Sequence, residues 1–169
     1  MLLVGIGLML GAILLMSKKA QAAVKEMVQI PIQVVEPSTP LDSMIKEAAF
    51  KYSVDWKLVK AVAMTESSLN PNASNPKDPS YGLMGIMPIL AEDFGIVRDY
   101  HNPTDAEIAM IRDPQTNLNI GAWHLHYLTG KYPFDAAVQM YNVGERGYNE
   151  GRRNSDYLAK VKSHLGEIS

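Results

Sequence analysis

Cysteine is absent from the sequence, which excludes both a disulfide framework and a thiolate metal site. That absence leaves the redox compartment unread, although a chain without cysteine suits an exported protein. Neither sign of charge dominates: 16 basic and 18 acidic residues give a formal net charge of −2. Such a balance excludes electrostatic attraction to nucleic acid as the main task, so no nucleic-acid partner is expected. His101, His124, His126 and His164 show no metal-ligand spacing, and neither a metal nor a cofactor is expected. Internal repeats and low-complexity tracts are missing. Two-residue alternation is weak throughout, which points to a mainly α domain.

Long apolar runs are missing too, with one exception. MLLVGIGLMLGAILLM, residues 1–16, has no charged or strongly polar side chain and then meets Ser17, Lys18 and Lys19. As a helix it spans about 24 Å, slightly short of a hydrocarbon core of about 30 Å. Tolerated mismatch and snorkelling of the two lysines close that gap. Residues 1–23 are therefore expected to form a single-pass membrane anchor. The other reading is a cleaved signal peptide, because Ala20-Gln21-Ala22 has the form of a small-residue cleavage site. Against it, the lysines follow the apolar run instead of preceding it. The positive-inside tendency puts the lysines, and the domain behind them, on the cytoplasmic side. A virion membrane protein, or one inserted by its own route, need not sit that way.

Residues 24–40 carry prolines at 31, 37 and 40 and no helical period. An extended linker is expected there, at most about 50 Å long; the alternation of Val28, Ile30, Ile32 and Val34 is also compatible with a short strand. From residue 41 to 169 the chain reads as helices separated by loops. Leu41, Ile45, Ala48, Ala49 and Tyr52 form one apolar stripe, and Asp55 is placed to cap a second helix. Residues 70–82 are dense in Asn, Ser, Pro and Asp and read as a long loop. A short helix follows Pro88, Thr104-Asp-Ala-Glu resembles a capping box, and Asp113-Pro114 opens a longer helix. Pro133 begins a helix through Met140, and Ser155 is placed to cap a last one carrying Leu158, Val161 and Leu165.

In AVAMTESSLNP, residues 61–71, a carboxylate interrupts an apolar surface. Val59, Val62, Ala63 and Glu66 stand at i, i+3, i+4 and i+7, so one helix face carries all four. Desolvation raises a carboxylate pKa, and the negative end of the helix dipole raises it further. A carboxylic acid still protonated near neutral pH is what a general acid requires. The bland alternatives are a core glutamate satisfied by a basic partner, or one turned into water.

The surrounding segments favour the first reading. Glu66-Ser67, Asn70-Pro71, Ala73, Tyr81-Gly82-Leu83-Met84 and Ile86-Met87-Pro88 resemble the lytic transglycosylases of the soluble-type, goose-lysozyme-like superfamily. Met140-Tyr141-Asn142-Val143-Gly144 resembles that family's Ala-Tyr-Asn-Ala-Gly segment. Asp156-Tyr157-Leu158-Ala159-Lys160-Val161 is similar to its closing Tyr-Val-x-Lys-Val. The three segments occur in the family's order and cover about residues 44–165.

The resemblance implies a lysozyme-like α domain that cleaves the MurNAc–GlcNAc β-1,4 bond of peptidoglycan glycan strands. Glu66 would be the sole acid/base, and Ser67, Tyr141, Asn142 and Tyr157 would contact the substrate or orient the acid. Tyr81 and Met84 would line the sugar channel, or else belong to the core. A hydrolysing glycosidase usually needs a second carboxylate. Asp78 and Glu92-Asp93 are the nearby candidates, read here as a turn residue and a solvated face. Arg146, Arg152 and Arg153, in a Gly/Asn-rich stretch, are placed to meet peptide-stem carboxylates or simply to be solvated. One departure stands out: where the family usually has Gln after Gly-Leu-Met, this chain has Gly85. That change removes an amide from the site and frees the backbone locally. Met140, where Ala is common, is a smaller departure. The rivals to a transglycosylase are a goose-type lysozyme, which uses water, and a non-catalytic glycan-binding or assembly protein. Expected partners are peptidoglycan, a membrane through the N-terminal helix, and proteins of a virion or secretion complex. The expected location is a virion membrane or bacterial envelope, with the domain acting in the periplasm.

Overall fold

Proline marks several helix starts, because its fixed φ suits the first turn and its missing N–H has no partner to lose there. A computed structural model describes residues 39–75 and 77–168. The expected anchor and nearly all of the expected linker lie outside the described residues. No helix among the described residues is long and apolar enough to cross a membrane.

Helix α1, Pro40–Lys51, starts one residue earlier than its apolar stripe suggests, with the Thr39 side chain accepting from the Asp42 N–H. Asp55 caps α2, Trp56–Ser67, by accepting from the Lys57 N–H. Pro88 opens the short α3, Pro88–Asp93. Helix α4, Asp105–Arg112, begins in a complete capping box between Thr104 and Glu107. Asp113 caps the long α5, Pro114–Lys131. After Pro133, α6 runs over Phe134–Val143, then α7 over Glu145–Asn149 and α8 over Ser155–Glu167.

Four details differ from the sequence reading. Helix α6 does not stop at Met140 but continues to Val143, so Tyr141 and Asn142 are helical; Gly144, at φ +73°, ends it. Helix α7 lies inside the stretch read as loop. The cap of α8 is Asn154, whose side chain accepts from the Tyr157 N–H, while Ser155 is the first helical residue. Finally, residues 70–82 hold a small antiparallel hairpin, β1 (Ser74–Asn75) against β2 (Ser80–Tyr81). Its strands are too short and too polar to show alternation, and backbone pairing alone makes them.

The core gathers on α5. Leu118, Ile120, Ala122 and Leu125 of that helix meet Ile45 and Ala48 of α1 and Val59, Val62 and Ala63 of α2, all without solvent exposure. Each large side chain buried this way stabilises by about 2 kcal/mol relative to exposure. Helix α8 closes over α2 with Tyr157 and Val161. Met140 has a packing explanation: with Leu128 and Ala137 it fills a second small cluster between α5 and α6. Helix α2 ends in two successive left-handed residues, Ser68 at φ 53° and Leu69 at φ 63°. Their N–H groups donate to Met64 and Ala63 carbonyls, turning the chain sharply just after Glu66.

Candidate active site

Glu66 stands on the last turn of α2, where the apolar face of that helix gives way to a cleft. The cleft has a volume of about 110 Å³ and is lined by Glu66, Ala73, Ser74, Asn75, Ser80, Gly82 and Gly85. Glu66 is the only carboxylate among the described residues that line it. Burial pushes the Glu66 carboxyl up to about 6, and a hydrogen bond from Tyr157 partly opposes this by favouring the ionised form. The Tyr157 hydroxyl donates to Glu66 Oε1 at 2.6 Å. That ring is 6% exposed, and its own pKa is raised well above the usual phenol value by burial first and by the nearby carboxylate second. It therefore stays a donor.

Facing Glu66 is a tight turn over residues 81–86. Tyr81 and Ile86 close its base by exchanging backbone hydrogen bonds of 3.0 and 2.9 Å. Gly82 and Gly85, at φ +74° and +60°, supply the left-handed conformations it needs. Three side chains hold this turn by its main chain. Asn117 of α5, wholly buried, accepts from the Met84 N–H at 2.8 Å and donates to the Tyr81 carbonyl at 2.7 Å and the Ile111 carbonyl at 2.9 Å. Ser67 donates to the Leu83 carbonyl at 2.8 Å, with the Ala63 carbonyl 3.0 Å away. Tyr141 of α6 donates to the Met84 carbonyl at 2.9 Å. Burial raises the Tyr141 pKa well above the phenol range, with Glu66 adding to it.

The residues singled out in the sequence thus divide. Glu66, Tyr157 and Tyr141 come together from α2, α8 and α6. Ser67 ties α2 to the turn through carbonyl groups and makes no hydrogen bond to the carboxylate. Met84 contributes its backbone to the site, but its side chain is fully buried and lies over Gly121; the reading of Met84 as a channel-lining side chain gives way to core packing. The Tyr81 ring lies under the Arg112 guanidinium, 4.9 Å from it, and is not among the residues lining the cleft. Asn142 is exposed and accepts from Asn154 Nδ2 at 2.8 Å. Because Asn154 also caps α8, Asn142 supports the helix start that carries Tyr157 rather than the carboxyl itself.

Among the second-carboxylate candidates, Asp78 is exposed at the hairpin tip and Asp93 is exposed on α3. Glu92 accepts from the Tyr100 N–H at 3.2 Å. None of them lines the cleft. Arg146 pairs with Glu150 at 2.7 Å on the surface, and Arg153 stacks 3.5 Å from the Tyr148 ring. Sequence reasoning missed Asn117, Asn154 and the part played by His124. Asn117 had a visible signal, since it stands one turn before Gly121 on the buried face of α5. His124 packs against Tyr141 with ring centroids 5.4 Å apart, and burial lowers its pKa to about 4.

A mainly helical fold, with one half-buried acid held by the Tyr157 phenol at the edge of a small polar cleft, defines a lysozyme-like domain. The chain belongs to the Transglycosylase SLT domain family, whose sequence profile residues 43–163 match. It is 30% identical over 122 residues to a transglycosylase of Enterobacteria phage PRD1, covering 72% of this chain and 41% of that protein. It is 34% identical over 93 residues to membrane-bound lytic murein transglycosylase E of Buchnera aphidicola, covering 54% of this chain and 40% of that one. The chain thus spans about two fifths of the length of these relatives. The fold is that of the 70 kDa soluble lytic transglycosylase of Escherichia coli, with a TM-score of 0.52 at 24% identity over 74% of this chain and 22% of the other. The lytic transglycosylase Slt of Pseudomonas aeruginosa gives a TM-score of 0.52 at 18% identity, over 73% and 21% of the two chains.

Proposed function

We propose that this protein is a peptidoglycan lytic transglycosylase, with Glu66 as its single acid and base. The observation that carries the reading is the Glu66 carboxyl itself: desolvated, held by Tyr157, and alone among the carboxylates of the described residues at the cleft. Family membership and the names of the relatives support the substrate class.

In the first step the Glu66 carboxyl gives its proton to the oxygen bridging MurNAc and GlcNAc. The C1–O bond breaks, GlcNAc leaves with a new hydroxyl, and positive charge develops at C1 of MurNAc. In the second step the Glu66 carboxylate takes the proton from the C6 hydroxyl of the same MurNAc while that oxygen bonds to C1. The product is a 1,6-anhydro sugar, no water is consumed, and the acid is regenerated. Between the steps the substrate's own acetamido group stabilises C1, which suits a cleft whose described residues offer no second carboxylate. A pKa near 6 allows one group to serve both turns of this cycle.

The apolar segment at residues 1–16 supports anchorage of the domain to a membrane. Likeness to a phage transglycosylase supports a virion-associated cutter that opens the wall locally for genome entry. Mass spectrometry of digested sacculi tests the chemistry. Anhydro-muropeptides are expected from the wild type and none from Glu66→Gln; hydrated reducing MurNAc ends overturn the transglycosylase reading in favour of a lysozyme. Equal wall lysis by wild type and Glu66→Gln removes Glu66 as the acid.

A further inference from the structure

Several glycines are required by close packing, and one of them meets the acid. A Cβ placed on Gly85 falls 2.6 Å from Glu66 Oε2 and 3.2 Å from Glu66 Cδ, far inside contact distance. At Gly82 the obstructed group is the buried Asn117 amide, at 2.4 Å, and at Gly121 it is the Met84 sulfur, at 2.5 Å. Those are demands of the core. At Gly85 the obstructed atom is the far end of a side chain able to swing aside, so the fold survives a larger residue while the carboxyl does not keep its place.

The two oxygens of Glu66 are also unequal. Oε1 accepts from Tyr157, whereas Oε2 lies 2.6 Å from where a Cβ on Gly85 would stand, and both Gly85 and Glu66 border the cleft. Gly85 is itself fixed: its N–H donates to the Gly82 carbonyl at 3.3 Å, and Ile86 beside it is bridged to Tyr81. We infer that Gly85 is a positioning residue whose bare backbone seats Glu66 Oε2, and that a side chain at this position turns the carboxyl away from the glycan. On this account the replacement of the family's usual Gln is part of how this chain aims its acid. The inference rests on the reading of Glu66 as the acid.

The titratable groups facing Glu66 are Tyr157 from α8 and Tyr141 from α6; among the described residues bordering the cleft, the hairpin and the turn present none. A change in Glu66 titration therefore reports the seat of the carboxyl. Gly95 provides the control, with φ +89° and nothing within 4 Å of its added Cβ. Gly95→Ala places a side chain at another positive-φ glycine without touching the acid.

The test compares full-length wild type, Gly85→Ala, Gly85→Gln and Gly95→Ala by kcat and KM on soluble glycan strands across pH. Glu66 is titrated in parallel through its carboxyl carbon by NMR. In both Gly85 variants kcat is expected to fall at least tenfold with KM little changed, and Glu66 is expected to titrate nearer an ordinary carboxyl as it swings into water. Gly95→Ala is expected to match the wild type in both respects, whatever thermal stability its own backbone strain costs. Wild-type kcat and Glu66 titration in Gly85→Ala overturn the proposal, as does a rise of kcat in Gly85→Gln or an equal loss of kcat in Gly95→Ala. A Glu66→Gln variant as active as the wild type instead overturns the assignment of the acid, and the NMR titration still decides whether Gly85 seats the carboxyl.

Discussion

The hydroxyl of Tyr157 donates to Glu66 Oε1 across 2.6 Å, joining residues 91 positions apart in the chain. This bond stabilises the ionised carboxylate and so works against the desolvation that raises the Glu66 pKa. Tyr157→Phe removes it, and the Glu66 pKa rises further. In the proposed mechanism Glu66 acts while protonated, so the alkaline limb of kcat/KM is expected to move to higher pH. Loss of orientation is expected to lower kcat roughly 10- to 100-fold. A pH profile of the variant against the wild type measures both effects.

Glu66 burdens the fold at neutral pH. Its folded pKa of about 6 exceeds the ordinary value of 4.5, so its contribution to stability is fully present below pH 4.5 and is lost as pH rises through 6. Above that range the buried negative charge destabilises by about 2 kcal/mol. Glu66→Gln is expected to recover an amount of that order at pH 7 and nothing at pH 4, because the amide oxygen still accepts from Tyr157. Thermal unfolding at the two pH values checks this.

His124 has the opposite sign. Burial lowers its pKa from 6.5 to about 4, while the charges of Asp93 and Glu145 resist the shift. The folded state therefore binds fewer protons than the unfolded chain between those values, and stability falls as pH drops from about 6.5 towards 4. His124→Phe is expected to flatten that part of the stability curve. A variant as acid-sensitive as the wild type would show that other groups carry the loss.

The 81–86 turn is held to the core through Asn117, which makes three hydrogen bonds to backbone groups. Asn117→Leu fills the space but leaves the Met84 N–H and two carbonyls without their partner. The expected cost is about 3 kcal/mol, read as a lower denaturant midpoint with an unchanged slope. Activity is expected to drop further than stability alone explains, because Met84 and Gly85 then lose their register against Tyr141 and Glu66.

Much of this was legible in the residues. Helix starts were, because Asp55, Thr104 and Pro114 act through local chemistry that a short window contains. Glu66 was, because a carboxylate at i+7 of an apolar stripe has few places to go, and Tyr141 and Tyr157 were through the family segments. The hairpin and α7 were not: each is a few residues long and is stabilised by backbone pairing or by neighbours distant in the chain. Periodicity is equally silent about which part of a residue is used. Tyr81 and Met84 serve the site through main-chain atoms, while their side chains pack elsewhere. Gly85 looked like a lost amide in the sequence and is a point of contact in the fold.

The site needs parts that leave the ribosome at very different times. Helix α2 with its acid is made early, Tyr141 much later, and the phenol that grips the carboxyl belongs to the last helix described. A nascent chain arrested before α8 docks on α2 has the carboxyl but not the arrangement around it. The arrangement around Glu66 is therefore completed only by the last helix described.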